Sequence, residues 1–401
     1  MNDGHGVQVG VPKIASRARD GHKGTFGTVV VIGGCCAGAV RMLGAPALAA
    51  AGALRVGCGL VKMMVPGPMV VPALSLAPSA TGIALPVNGA GELVGHEAVA
   101  LFDDVVKSAD AVVIGCGLGG YSESHSDAAH GAGVQALVLR ALQQTRVPVV
   151  VDADALNVMS QIADLSRDFR ASCILTPHVG EFRRLAASLN IESNLDASVQ
   201  SAAALAASRA AACEALAQRL GCIVALKGAG TVVSNGHDSW VCGRGHSCMG
   251  TGGTGDVLAG LLGGLVAQWK AGGLVRAGVS RTGDVNSGVS SASGSTGAAR
   301  MPVATDAEHP SLARVMSKDE LMALAATRMG KKAPVASASA EISKRDDAVK
   351  PLTLLELACL GVEVHARAGE AWAKQQGVEA GMLASELAGL IPKVLQDLRS
   401  Q

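Results

Sequence analysis

The sequence predicts an α/β fold in which a central, mostly parallel sheet carries helices on both faces. Three observations predict it. Five short β-branched runs recur, Ala- and Leu-rich stretches of helical length separate them, and each run ends in Gly, Asp, His or Lys punctuation. A near-continuous apolar run suits a strand covered on both faces, and strands alternating with helices build parallel sheets through right-handed crossovers.

The runs are GTVVVIGG (27–34), DAVVIGCG (110–117), VPVVVDAD (147–154), SCILTPH (172–178) and CIVALKG (222–228). Helices are expected at 44–55, 132–145, 179–190 and 199–220, with a strongly apolar one at 256–269. Open α/β sheets bind ligands outside the carboxyl ends of their strands. The chemistry therefore belongs to these five turns and to the loop at 250–256. From 271 to 350 the pattern collapses: SGVSSASGSTGAAR (287–300) and KKAPVASASAEISKRDD (331–347) have no period that buries a core. This stretch reads as a flexible insertion with one helix near 317–328. Helical patterns return at 352–372 and 381–398, so one catalytic domain is expected from 1–270 and 351–401.

Composition removes several classes of function. The formal charge is +1, from 34 basic and 33 acidic residues, and the chain has only three Trp, one Tyr and four Phe. Nucleic acid is therefore not an expected partner. The most apolar stretches, 44–61 and 257–268, are interrupted by Arg55 or too short for a bilayer, so no membrane association is expected. Residues 1–10 are polar and lack the order of a secretory leader, which makes a cytoplasmic location the expectation and a mitochondrial one the alternative. The ten cysteines include no C-x-x-C pair and read as small, reduced core residues.

The stretch GTGGTGDVLAGLLGGLVAQW (250–269) sets four glycines and Asp256 just ahead of an apolar helix. Glycines let backbone amides approach a ligand, and a helix N-terminus turns its positive dipole end toward an anion. Asp256 is then either the cap of that helix or a base that takes a hydroxyl proton while the amides hold a phosphoryl group. No Lys-Ser or Lys-Thr follows the glycines and no strand ends directly before them, so neither a P-loop nor a dinucleotide fingerprint is present.

In order along the chain, HKGTFGTVVVIGG, GAPALAAAGALRVGCGLV, GCGLG, VVVDADALN, LTPHVGEFRRL, ALKGAGTVV and GTGGTGDVLAGLLGGLVAQ resemble the ATP- or ADP-dependent NAD(P)H-hydrate dehydratases, over 22–270 and 352–398. The resemblance implies the ribokinase-like three-layer αβα sandwich. It also implies a reaction: dehydration of the S form of hydrated NADH or NADPH, driven by ATP or ADP with Mg²⁺, restoring the cofactor and releasing phosphate.

Site residues follow from the same resemblance. Asp256 would be the base on the ring hydroxyl, with the amides of Gly252, Gly253, Thr254 and Gly255 as the anion hole. Lys227, Gly228, Ala229, Gly230 and Thr231, with Gly255, would lie along the nucleotide. His178 would contact the hydrated nicotinamide and Glu181 would orient water or metal, although both also suit a strand end and a first helical turn. Ala45, Gly117 and Gly119 would line the dinucleotide. Asp152 and Asp154, beside Asn157, suit a hydrated Mg²⁺ near phosphates or, alternatively, backbone capping.

The resemblance further implies a homo-oligomer. With no epimerase domain legible at the N-terminus, a separate epimerase would handle the R form. Two rivals share the loop and the aspartate: a small-molecule kinase of hydroxymethylpyrimidine or hydroxyethylthiazole type, which would leave the phosphate on its product, and an idle nucleotide-binding regulator. The chain departs from the family pattern at Cys116, where proline is usual, and at Met42 and Leu43, where an aromatic residue precedes Gly-Ala-Pro.

Overall fold

The computed structural model describes residues 10–120, 128–195, 201–278 and 350–400. In chain order the elements are β1 (Thr28–Ile32), α1 (Gly44–Arg55), β2 (Leu60–Pro66), α2 (Val70–Leu76), β3 (Thr81–Leu85), α3 (Gly95–Val105), β4 (Ala111–Ile114) and α4 (Ala128–Gln143). There follow β5 (Val149–Val151), α5 (Asp154–Met159), α6 (Leu165–Asp168), β6 (Cys173–Leu175), α7 (Val179–Ser188), α8 (Ala202–Leu220) and β7 (Ile223–Leu226). The last are β8 (Val232–Ser234), β9 (Ser239–Val241), α9 (Thr254–Lys270), α10 (Leu354–Gln376) and α11 (Ala384–Arg399).

The strands form one sheet in the order β3-β2-β1-β4-β5-β6-β7-β8-β9. Strands β1 to β7 pair in parallel, and β8 and β9 turn back as an antiparallel edge. All five runs legible in the sequence are strands, and every residue of β1, β4, β5, β6 and β7 is buried. Side chains alternate across the sheet. Val29 and Val31 of β1 join a core built with α1, α9, α10 and α11, whereas Val30 and Ile32 join a second core built with α3, α4, α5, α7 and α8. Two such cores on one sheet make a three-layer sandwich.

Helices α1 and α9 meet backbone to backbone because both are made of small residues. A Cβ on Gly260 would overlap the carbonyl oxygen of Ala49, and one on Gly52 would overlap that of Val257. Glycine is what permits this approach. The crossing fixes the direction of α9, and with it the position of the loop at its N-terminus.

Residues 271–278 continue from α9 into the main body. Leu274 is buried, and the backbone pairs with the start of the described chain, Ala15 N–H donating to Val275 O and Ala277 N–H to Lys13 O. By contact the chain divides into a unit of 1–282 with 349–401 and a unit of 283–348. Of the stretch 271–350 expected as a flexible insertion, residues 279–349, including the expected helix at 317–328, lie outside the described residues. Among the described residues, no helix is long and apolar enough to cross a membrane. All ten cysteines are buried and free of disulfides.

Candidate active site

Helix α9 begins at Thr254 behind Gly253, its N-cap, which holds a left-handed φ of 91° and offers no capping side chain. Asp256 is the third helical residue, so the cap is not its role. No backbone or side-chain acceptor among the described residues meets the amides of Gly252, Gly253, Thr254, Gly255 or Asp256; the first helical bond is Val257 N–H to Gly253 O. Unsatisfied amides at a helix N-terminus form an anion site. The loop is held by Thr254, whose Oγ1 donates to the carbonyls of Met249 (3.1 Å) and Thr251 (3.0 Å). From α10, His365 Nε2 bonds the Thr254 carbonyl at 2.8 Å, and burial pushes this imidazole down to about 4, so it is neutral and donates there.

Behind the loop, the ends of four neighbouring strands meet. Asp152, after β5, accepts from Lys227 Nζ at 2.6 Å and from Thr176 Oγ1 at 2.8 Å through the same oxygen. Burial alone lowers the pKa of Lys227, but Asp152 and Glu181 outweigh it and keep the ammonium charged. Glu181 lies 3.8 Å from Lys227, and burial pushes its carboxyl up to about 7. Cys116, after β4, is fully buried, and its sulfur lies within 4.8 Å of carboxylate oxygens of both Asp152 and Asp256. Burial first, and then Asp152, raise the carboxyl of Asp256 to about 6, while Cys116 and Lys227 pull it back. Asp256 is thus a carboxylate of enhanced basicity beside open amides.

His178 and Glu181 form a capping box on α7. His178 Nδ1 accepts from the amides of Gly180 (2.9 Å) and Glu181 (3.3 Å), and Glu181 Oε2 accepts from the His178 amide at 2.7 Å. An accepting Nδ1 puts the ring proton on Nε2, which lies 3.3 Å from Glu181 Oε1. The box therefore also aims Glu181 at Lys227.

A cleft of about 770 Å³ opens on the outer side of the loop. Its walls include Lys227, Gly228, Ala229, Gly230, Thr231, Thr254 and Gly255, together with the stretch after β9 and one face of α10. Gly252, Gly253 and Asp256 adjoin it without lining it. Ala45, Gly117 and Gly119 are not in its walls either. A Cβ on Gly117 would stand 3.2 Å from that of Ala45 and 3.1 Å from that of Met42, which puts these three at one spot.

Asp152 and Asp154 do not make a Mg²⁺ cage. The first already carries an ammonium; the second is turned to the Gly119 amide, from which it accepts at 2.8 Å, and burial is the main cause raising its pKa. Mg²⁺ needs open, ionised oxygens. The donor set drawn closest together, Cys116 with Asp152 and Asp256, includes a thiol that Mg²⁺ does not favour.

Several participants escaped the sequence reading. Thr176 and His365 sit in apolar runs without a pattern of their own. Arg209 donates to the carbonyls of Leu226 (3.1 Å) and Lys227 (3.2 Å) and so fastens the turn that carries Lys227. Its signal was available: Arg209 shares a helical face with Cys213 and Leu216, where a charge is out of place.

The sequence profile described as NAD(P)H-hydrate dehydratase matches residues 29–306. The chain belongs to the NAD(P)H-hydrate dehydratase family. It is 37% identical over 263 residues to the bifunctional NAD(P)H-hydrate repair enzyme Nnr of Coxiella burnetii, covering 64% of this chain and 44% of that one. It is 34% identical over 261 residues to the ADP-dependent (S)-NAD(P)H-hydrate dehydratase of Neisseria meningitidis, covering 63% and 73%. Against the bifunctional relatives of Coxiella burnetii and Escherichia coli, the chain spans less than half of their length, 44% and 40%.

The fold of this NAD(P)H-hydrate dehydratase family member is ribokinase-like. It matches a ribokinase-like superfamily protein of Enterococcus faecalis with a TM-score of 0.57 at 19% identity, over 97% of this chain and 93% of that one. It also matches the Bacillus subtilis ADP/ATP-dependent NAD(P)H-hydrate dehydratase, co-crystallised with ATP and Mg²⁺, with a TM-score of 0.59 at 20% identity, over 96% and 95%.

Proposed function

We propose that the chain dehydrates the S form of hydrated NADH or NADPH at the expense of ATP or ADP, restoring the dihydropyridine and releasing phosphate. The observation that carries this reading is Asp256, a carboxylate that caps nothing and stands beside five open amides. The nucleotide occupies the cleft. Its terminal phosphoryl group lies over the amides of Gly252, Gly253, Thr254 and Gly255, and Lys227 to Thr231 follow its phosphates and ribose. Ala45, Gly117, Gly119, His178 and Glu181 lie toward the dinucleotide.

Asp256 takes the proton of the ring hydroxyl as that oxygen bonds to phosphorus and the nucleotide's bridging P–O bond breaks. The lone pair of the ring nitrogen then expels phosphate, which leaves where hydroxide would not, and the adjacent ring carbon loses a proton to close the double bond. The amides stabilise charge on the phosphoryl oxygens throughout. In this reading Mg²⁺ enters with the nucleotide's phosphates. A homo-oligomer and a cytoplasmic location complete the reading.

The test mixes protein, hydrated NADH, Mg²⁺ and either nucleotide, and follows the near-ultraviolet absorbance that only the restored dihydropyridine has. A nucleotide-dependent rise, matched by inorganic phosphate, is expected. Phosphate retained on an alcohol product would overturn the reading in favour of a kinase.

The same assay reports the ionisation of the base. Because the Asp256 carboxyl is raised to about 6, its proton-accepting form is lost as pH falls through that value. The ratio kcat/KM should therefore drop tenfold per pH unit below about 6 and level off above it.

A further inference from the structure

The nucleotide cleft has an unusual wall. Among its lining residues there is no Phe, Tyr or Trp, and no carboxylate. Among the lining residues the aromatic rings are the small imidazoles of His246 and His365, the latter buried and bonded to the Thr254 carbonyl. Arg244, in the stretch after β9, is the largest planar side chain in the wall, and its side chain is 51% exposed.

The guanidinium is not free to wander. Its Nη1 lies 3.4 Å from Glu370 Oε2 and its Nε 3.9 Å from Glu363 Oε1, both on α10. The next residue is tethered to the same helix, Gly245 N–H donating to Glu370 Oε1 at 3.0 Å. Carboxylates meet a guanidinium along its edge, in the plane of its N–H bonds, and leave its faces bare. They also offset its charge, which makes Arg244 a poor extra anchor for phosphate; the open amides before α9 already supply that. Guanidinium faces stack on bases and aromatic rings.

We propose that Arg244 is the base platform of the nucleotide site, its edge held by Glu363 and Glu370 and its face laid against the base. This rests on the cleft being the nucleotide cleft, as in the function proposed above. The platform accounts for a wall lined without Phe, Tyr or Trp. It also explains why Glu370 is paired with a half-exposed arginine, while Glu363, bonded to Arg367 Nε at 2.6 Å, stands at the other side of the guanidinium's edge.

The test measures binding by calorimetry without any hydrated cofactor, using ATP and, separately, inorganic tripolyphosphate. Arg244→Leu should weaken ATP at least about tenfold and leave tripolyphosphate within about twofold. Arg244→Lys, which keeps the charge and loses the plane, should fail to rescue ATP. In turnover the Leu variant should raise KM for ATP with little change in kcat, the mark of binding shared by ground and transition states. Equal weakening of both ligands, rescue by lysine, or unchanged ATP binding would each overturn the platform.

The outcomes separate the two proposals. Arg244-dependent ATP binding without any dehydration would sink the proposed reaction and leave the platform standing. Dehydration with ATP binding indifferent to Arg244 would do the reverse.

Discussion

Asp256→Asn is expected to lower kcat/KM by about 10²–10⁴-fold, the usual worth of a positioned general base. The fold should survive, because the loop is shaped by Gly253, by the Thr254 hydroxyl and by His365, none of which uses the carboxylate. The variant should in fact gain stability. A carboxyl whose folded-state pKa is raised from 3.8 to about 6 costs the fold on the order of 3 kcal/mol at neutral pH, discounted by whatever relaxation the site allows. The sign follows from linkage: the folded form holds its proton more tightly, so the penalty is absent below the unfolded pKa and complete above about 6. Melting curves of wild type and variant should accordingly diverge at pH 7.5 and converge at pH 4. A variant with near-wild-type turnover would remove Asp256 from the reaction. One that loses stability at pH 7.5 would show the carboxylate to be a structural ligand.

The second large effect concerns packing. Gly260→Ala puts a methyl into the carbonyl of Ala49 at the α1–α9 crossing. Alanine is worth up to about 1 kcal/mol over glycine inside a helix, but a backbone overlap that only helix separation relieves costs about 3 kcal/mol or more. The clash wins. The variant should melt well below wild type and lose nucleotide binding, since the displaced helix carries the anion loop. Gly389→Ala in α11 is the matched control: nothing lies within 4 Å of its Cβ position, and propensity alone should raise the melting temperature by about 1–2 °C. Equal behaviour of the two variants would mean that the α1–α9 crossing does not hold helix separation.

How much of this was legible in the sequence depended on how a residue announces itself. The five buried parallel strands were readable because burial on both faces demands an unbroken apolar run. Strand β9 is half-buried at Ser239 and Trp240 and exposed at Val241, so it shows no buried apolar run, and β2 carries Lys62, whose Nζ escapes to Ser108 Oγ and breaks the apolar run. The end of α1 at Arg55 and the glycine loop were readable from local chemistry. The question whether Asp256 caps or reacts was not, because both roles ask for an acid next to a helix start. Geometry decides against the cap by setting Gly253 at that position. Lys227 and Asp152 were each visible at a strand end, but their contact, 75 positions apart in the chain, depends on the order of strands in the sheet. His365 had no local signature at all, since its partner is a carbonyl, which any residue provides.

The wall of the cleft proposed to take the nucleotide joins α9 to α10, and in the gene these are far apart. A chain emerging at about 5–20 residues per second finishes the anion loop roughly 5–20 s before His365 and the carboxylates that hold Arg244 appear. During that interval the loop has its glycines and its base, but lacks the hydrogen bond on Thr254 O and the opposite wall. Joining the two across so long a connection adds little, since each doubling of its length costs only about 0.6 kcal/mol in closure entropy. Nucleotide affinity is therefore a late property of synthesis. A ribosome-stalled chain ending before residue 350 should fail to retain ATP, whereas one extended past α11 should hold it.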